Sequence, residues 1–312
     1  MPVSTAQMLL KDAADKAKTA QNDGDLSEVI AIGEEALKEK PGAEATAYAN
    51  RLLSSAHNRR GQMFAEHKLH DQAIDDFSAS LRYDPTLSRT VHNRGVSEAQ
   101  TGKHNEALAD FNKALELNHG HPNTFNNRAE LYYQAGMFDR AWKDFNEAVR
   151  ANQNDPAYVA GRGKCAAKLG KTREAIQDLD YAVKMAPKNA ELRLVRAELY
   201  LGIKGFGTAA EDYRAAAQLD PQSGQALRGL AWIMATCPDQ RLRNAEECVK
   251  VAERAMQLDG NNDPRLLGND GRGLRQQRPI RSGRRAGQTR PDDRQRGDRP
   301  TDAGATGGLQ RR

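Results

Sequence analysis

The residues able to do chemistry recur in this sequence at a fixed interval. Arg60, Arg94, Arg128, Arg162 and Arg196 lie 34 residues apart, and so do Asp76, Asp110, Asp144, Asp178 and Asp212. Matched columns of guanidinium groups and carboxylates describe ion pairs rather than an acid–base catalyst. Arg is permanently charged, and its planar fork suits two-point carboxylate binding. Each Asp can meet the Arg of its own 34-residue unit or the Arg of the next; we expect the second arrangement, a structural ladder beside a packing seam. Binding of an acidic partner by the Arg column is the alternative. A third series is Asn58, Asn93 and Asn127. Asn is unfavourable inside a helix, and its amide both donates and accepts. Such a row can bond the backbone of an extended peptide without reading its sequence, or it can tie neighbouring helices together.

Other chemistry is absent as a pattern. All seven His lie between His57 and His121, and none is part of an HExxH arrangement. Cys165, Cys237 and Cys248 are odd in number and include no CxxC, so they read as small buried side chains rather than a zinc or disulfide framework. No nucleophile elbow, phosphate loop or dinucleotide fingerprint occurs. Gly161-Arg162-Gly163 and Gly205-Phe206-Gly207 follow no strand. The expectation is a protein that is not an enzyme and holds no cofactor or metal.

The elements that position these residues follow from the same period. With units starting at residues 54, 88, 122, 156 and 190, position 8 is Gly61, Gly95, Ala129, Gly163 and Ala197. Position 20 is Ala throughout, from Ala73 to Ala209, and position 27 is Ser80, Ala114, Ala148, Ala182 and Ala216. Position 24 is bulky: Phe77, Phe111, Phe145, Leu179 and Tyr213. Small residues let two antiparallel helices approach, and the bulky one fills the space between hairpins. Gly102, Gly136 and Gly170 mark a turn near position 15, and Pro85, Pro187 and Pro221 end the second helix. Each hairpin has apolar surface it cannot bury alone, so the hairpins stack into a solenoid.

This pattern resembles the tetratricopeptide repeat (TPR) family, and among its members bacterial arrays of the planctomycete type. The resemblance implies an all-α right-handed superhelix of about seven hairpins. Five regular repeats cover 54–87, 88–121, 122–155, 156–189 and 190–223, together 54–223. A degenerate hairpin at 10–43 precedes them within an N-terminal region 1–53, whose last ten residues lengthen the next helix (Ala43 to about His67). A divergent hairpin follows at 224–262. In that family the first helices line a concave groove that binds peptides or protein segments. The matching positions here are Asn58, Arg59 and Gln62; His92 and Asn93; Asn126, Asn127, Glu130 and Tyr133; Lys164; and, toward an apolar end, Leu194 and Trp232. The family's charge clamp for a C-terminal carboxylate is missing its Lys and Arg members, because Asn58 and Gln62 precede Asn93 and Asn123 and Asn127 follow it.

The formal net charge of +5 misleads about partners. From Gly268 onward there are twelve Arg and five Asp with no Lys or Glu, so the preceding 267 residues are net −2. A basic nucleic-acid-binding body is thereby argued against. The segment 263–312 is rich in Arg and Gly and lacks aromatic residues, a composition that predicts disorder. It reads as an RNA-binding arm, which would make the chain an RNA-associated adaptor, as a plain solvated end, or as an out-of-frame product. No run of 18 apolar residues occurs, and Met1 to Lys18 lacks the apolar core of a secretory signal. The expected setting is cytoplasmic, with a protein or peptide partner and no membrane.

Overall fold

The computed structural model describes residues 4–258, which form fourteen α-helices and one short 3-10 helix. The helices pair in order as α1 (Thr5–Thr19) with α2 (Asp23–Lys38), α3 (Ala43–Glu66) with α4 (His70–Tyr83), and α5 (Ser88–Gln100) with α6 (His104–Leu117). Next come α7 (Pro122–Gln134) with α8 (Phe138–Ala151), α9 (Pro156–Lys168) with α10 (Thr172–Met185), and α11 (Ala190–Gly202) with α12 (Phe206–Leu219). The last pair is α13 (Gly224–Thr236) with α14 (Ala245–Leu258), linked through the 3-10 turn Gln240–Leu242. Seven hairpins thus stack into an all-helical solenoid. The Arg/Gly-rich segment, with its disorder, RNA and reading-frame expectations, lies outside the described residues, as does the end of the 224–262 hairpin.

Local chemistry places the helix ends. Pro122 and Pro156 occupy the first turns of α7 and α9, where a missing N–H leaves nothing unsatisfied. Asn22, Asp155, Asn189 and Ser223 cap α2, α9, α11 and α13 through their side chains. Every regular hairpin turns through a residue at positive φ. Gly102, Gly136 and Gly170 sit at 78°, 73° and 72°, and Lys68 and Lys204 take the same place at 62° and 63°. Two of the five turns therefore carry a strained residue that the sequence pattern alone does not flag.

The buried layer is the position-24 column against small residues, with Phe77, Phe111 and Phe145 almost fully enclosed. Each such ring contributes about 1.5–3 kcal/mol by burial. The ring has two berths. Where position 8 is Gly, it lies on its own repeat: a methyl built on Gly61 would meet the Phe77 ring at 2.9 Å, and one on Gly95 the Phe111 ring at 3.0 Å. Where position 8 is Ala129 or Ala197, that berth is filled and the ring swings to position 6 of the next repeat. That position is then Gly: a methyl on Gly161 would lie 2.3 Å from Phe145, and one on Gly229 2.4 Å from Tyr213. Gly163 with Leu179 follows the first rule, at 3.1 Å. Glycine is placed where the ring goes.

The Arg/Asp ladder forms within repeats, which overturns the expected pairing from one repeat's Asp to the next repeat's Arg. In all five repeats the Arg Nε and Nη2 donate to the two carboxylate oxygens of the Asp sixteen residues on, at 2.6–2.9 Å. The remaining Nη1 does cross the boundary. It donates to the preceding repeat's position 25, Ser78 from Arg94 at 3.1 Å, Asn112 from Arg128 at 2.6 Å, Asn146 from Arg162 at 3.1 Å and Asp180 from Arg196 at 3.0 Å. Each Arg therefore closes its own hairpin and staples it to its neighbour. Asp76 receives a further hydrogen bond from His57 at 2.8 Å. Burial acts to raise its carboxyl, but the Arg60 and His57 bonds prevail and hold it below the ordinary range.

The first hairpin packs out of the regular register. Leu10 and Ala13 of α1 join Ala36, Ala49 and Leu53 in the buried layer, so the hairpin sits against the extra length at the start of α3. The end of α1 then falls beside Arg59, whose guanidinium donates to the Ala17 and Ala20 carbonyls at 2.8 and 3.0 Å.

Candidate peptide groove

Successive first helices from α1 to α11 (α1, α3, α5, α7, α9, α11) approach one another more closely than successive second helices do, which puts them on the inner side of the stack. Adjacent stretches of α3, α5, α7 and α9 bring together most of the polar residues singled out from sequence. Gln62 and Asn93 are half-buried and make no hydrogen bond to any described residue. Asn126 donates to the Asn127 amide oxygen at 3.2 Å, leaving the Asn127 N–H groups unengaged among the described residues. Burial, partly opposed by Lys164, raises the Glu130 carboxyl. Lys164 in turn lies 3.7 Å from Glu191. Burial likewise raises the Tyr133 phenol, whose ring meets Phe138 edge-on at 5.3 Å.

Three other residues are engaged in the scaffold instead. Asn58 accepts a hydrogen bond from Thr90 at 3.0 Å. Arg59 caps α1, an engagement that follows from the displaced first hairpin. His92 is only 8% exposed and shares a 2.8 Å hydrogen bond with Thr124 of the next repeat. Its ring lies 5.7 Å from Phe111 and 5.1 Å from His121. Burial, with help from the His121 and Arg89 charges, drops its pKa to about 4, so it is neutral at ordinary pH. It is a seam residue, and the expectation that it faces a ligand is corrected.

At the C-terminal end Leu194 packs against the cluster containing Ala197, Tyr213 and Leu230. Trp232 remains 44% exposed, with Phe206 beside it at 6.4 Å between rings. Sequence reasoning missed the opposite end. There α1 and the extra turns of α3 border an open cleft of about 800 Å³, lined in part by Gln7, Lys11, Lys18, Tyr48 and Arg51. The signal was available in Tyr48 and Arg51, an aromatic and a cation within the inserted ten residues; their side chains stack at 6.0 Å.

All three Cys are buried, and burial pushes the Cys165 thiol up to about 12, which suppresses the reactive thiolate. Among the described residues no group of three or more His, Cys, Asp or Glu is placed to hold a metal, and no helix is long and apolar enough to cross a membrane.

Comparison with known proteins bears on the array. The family described as "TPR repeat" matches residues 95–136, and "Tetratricopeptide repeat" matches 126–190 and 160–224. No curated protein matches the chain significantly. Among solved structures, Pseudomonas aeruginosa pilF overlays on 71% of this chain and 98% of its own, with TM-score 0.61 and 15% identity. A tetratricopeptide repeat protein from Parabacteroides merdae overlays on 84% of this chain and 95% of its own, with TM-score 0.55 and 18% identity. The APC/C Cut9–Hcn1 assembly matches 86% of this chain and 56% of its own, with TM-score 0.60 and 15% identity. At these identities the likeness establishes the fold. With seven stacked hairpins and the family's repeats matched in overlapping runs from residue 95 to residue 224, this chain is a tetratricopeptide-repeat protein.

Proposed function

We propose that the chain is a non-catalytic scaffold whose inner surface binds an extended segment of a protein or peptide. One observation carries this reading: on three successive inner helices, the Gln62 and Asn93 amides and the N–H groups of the Asn127 amide are engaged by no described residue. Polar groups held half-buried without partners lose part of their hydration and gain little in return. A peptide backbone supplies both complements at once. Glu130, Tyr133 and Lys164 continue the polar surface, and exposed Trp232 offers an aromatic anchor for one apolar side chain.

Selection from a random peptide library against the full chain supplies ligands for the test. Removing the Asn93 and Asn127 amides together (Asn93→Ala with Asn127→Ala) is expected to weaken a selected peptide by about tenfold or more, at roughly 0.5–1.5 kcal/mol per hydrogen bond. The helix content of the variant should be unchanged, because Asn93 has no partner among the described residues and Asn127 accepts only from its neighbour Asn126 on the same helix. Full affinity in the double variant would remove the groove reading.

A further inference from the structure

Position 11 of the repeats carries Phe64, Glu98, Tyr132, Ala166 and Tyr200. Phe64 and Tyr132 lie under the ladder Arg of their repeats, 5.9 Å from the guanidinium in both cases, and Tyr200 reaches Asp180 at 3.3 Å. Glu98 stands alone as a carboxylic acid. It is 8% exposed, and its Oε2 is buried with no hydrogen-bond partner. The nearest cation is Arg94, whose Nε is 3.9 Å away and already donates to Asp110 at 2.7 Å. Both Asp110 oxygens are taken by that same guanidinium. Two carboxyls adjoin one cation, which leaves one buried negative charge without compensation.

The surroundings offer little relief. Glu106 on α6 adds negative potential. Lys103, in the turn between α5 and α6, acts across a distance and is committed to Asp71 of α4 at 2.9 Å, with Asp75 of the same helix also near it. From α4 the group meeting Arg94 is the neutral Ser78 hydroxyl. Protonating Glu98 removes the surplus charge and converts a stranded acceptor into an O–H donor beside the Asp110 carboxylate. We propose that Glu98 holds a proton beside the Asp110 carboxylate, and that its release to water makes the α5–α6 hairpin the first part of the array to loosen as pH rises. Burial first, then the Asp110 charge, raises the Glu98 carboxyl to about 7. A carboxyl whose pKa is higher in the folded state binds more protons folded than unfolded between the two values. Stability contributed by that proton is therefore present at low pH and is lost as pH climbs through neutrality. The location matters because α5 is stapled to α4 by Arg94 and to α7 by the His92–Thr124 bond. Loosening it would separate Asn93 from Asn127. The proton site itself does not depend on what the groove binds.

Thermal unfolding of the full chain from pH 5 to 8.5, wild type beside Glu98→Gln, tests this. Gln keeps a donor and carries no charge. The two proteins are expected to melt together at pH 5, with wild type falling below the variant by on the order of 5 °C at pH 8. Carbon-detected NMR of the wild-type Glu98 carboxyl provides an independent reading, with a midpoint near 7 expected. Parallel melting curves across the range, or a Glu98 carboxyl that titrates in the ordinary Glu range, would overturn the proposal. Should the variant fail to fold, the wild-type titration decides alone.

Discussion

Replacing Asp144 by Ala tests whether the ladder stabilises the array. Asp144 is 9% exposed and accepts from Arg128 at 2.7 and 2.8 Å. Hydrogen bonds to charged groups are worth about 1.5–3 kcal/mol each, which bounds the loss near 6 kcal/mol. Several features reduce that figure. Arg128 is 18% exposed and can rehydrate, it keeps its bond to Asn112, and it stays between the Phe125 and Tyr132 rings. The expected cost is therefore about 2–3 kcal/mol, below the usual range for stranding one member of a fully buried pair. The two tryptophans make the assay local. Trp142 lies on α8 two residues from Asp144, whereas Trp232 is on α13. In a solenoid coupled mainly between neighbours, urea unfolding followed by selective replacement of each Trp should show the larger shift at Trp142. The double variant Arg128→Met with Asp144→Leu should recover most of the loss, because no charge is left behind. A loss under about 1 kcal/mol for Asp144→Ala would refute the reasoning and reduce the ladder to a surface decoration.

Two further outcomes follow from the buried layer and its charges. Gly161→Ala should destabilise by about 1–3 kcal/mol through the Phe145 clash, and adding Ala129→Gly should recover part of that by opening the other berth, as a double-mutant cycle in urea would show. Asp76→Asn should flatten the acid limb of stability: a carboxyl held below its ordinary range contributes stability present above the unfolded value near 4 and lost as pH falls through the lower folded value. Urea midpoints between pH 2 and 6 would check this, with an unchanged acid limb counting against it.

The hairpin count and the small-residue seams were legible because a 34-residue period repeats the same packing problem five times. The direction of the ladder was not. Positions 7 and 23 lie eight residues either side of the turn at 15, and an Asp at 23 lies about as symmetrically with the next repeat's Arg about the link at 32. Spacing therefore permits both pairings. Side-chain direction decides between them, and it turns only one Nη toward the neighbour. His92 was misread for a related reason: its partner, Thr124, is 32 residues away, and the signal is short, since the only other Thr at that repeat position is Thr90, which bonds Asn58 in the same way. The capping role of Arg59 depends on the displaced first hairpin, a consequence of the ten inserted residues whose extent, but not offset, could be counted.

The two ring berths connect the core to the groove. Position 6 belongs to the proposed groove, yet it can bear a side chain only where the preceding ring rests on its own repeat. Gly61 and Gly95 hold Phe77 and Phe111 at home, and the following position 6 is free to be Asn93 and Asn127. Ala129 sends Phe145 outward, and the row stops at Gly161. Gly163 permits a side chain again at Val195, and Ala197 forbids it at Gly229, where Tyr213 occupies the space. The amide row thus ends between α7 and α9 because of a methyl group on the far side of a buried ring, and the inner surface changes character at that point. Lengthening the row at residue 161 requires a change at residue 129 first, so under the proposed function the ligand chemistry of the groove is set partly by residues that no ligand can touch.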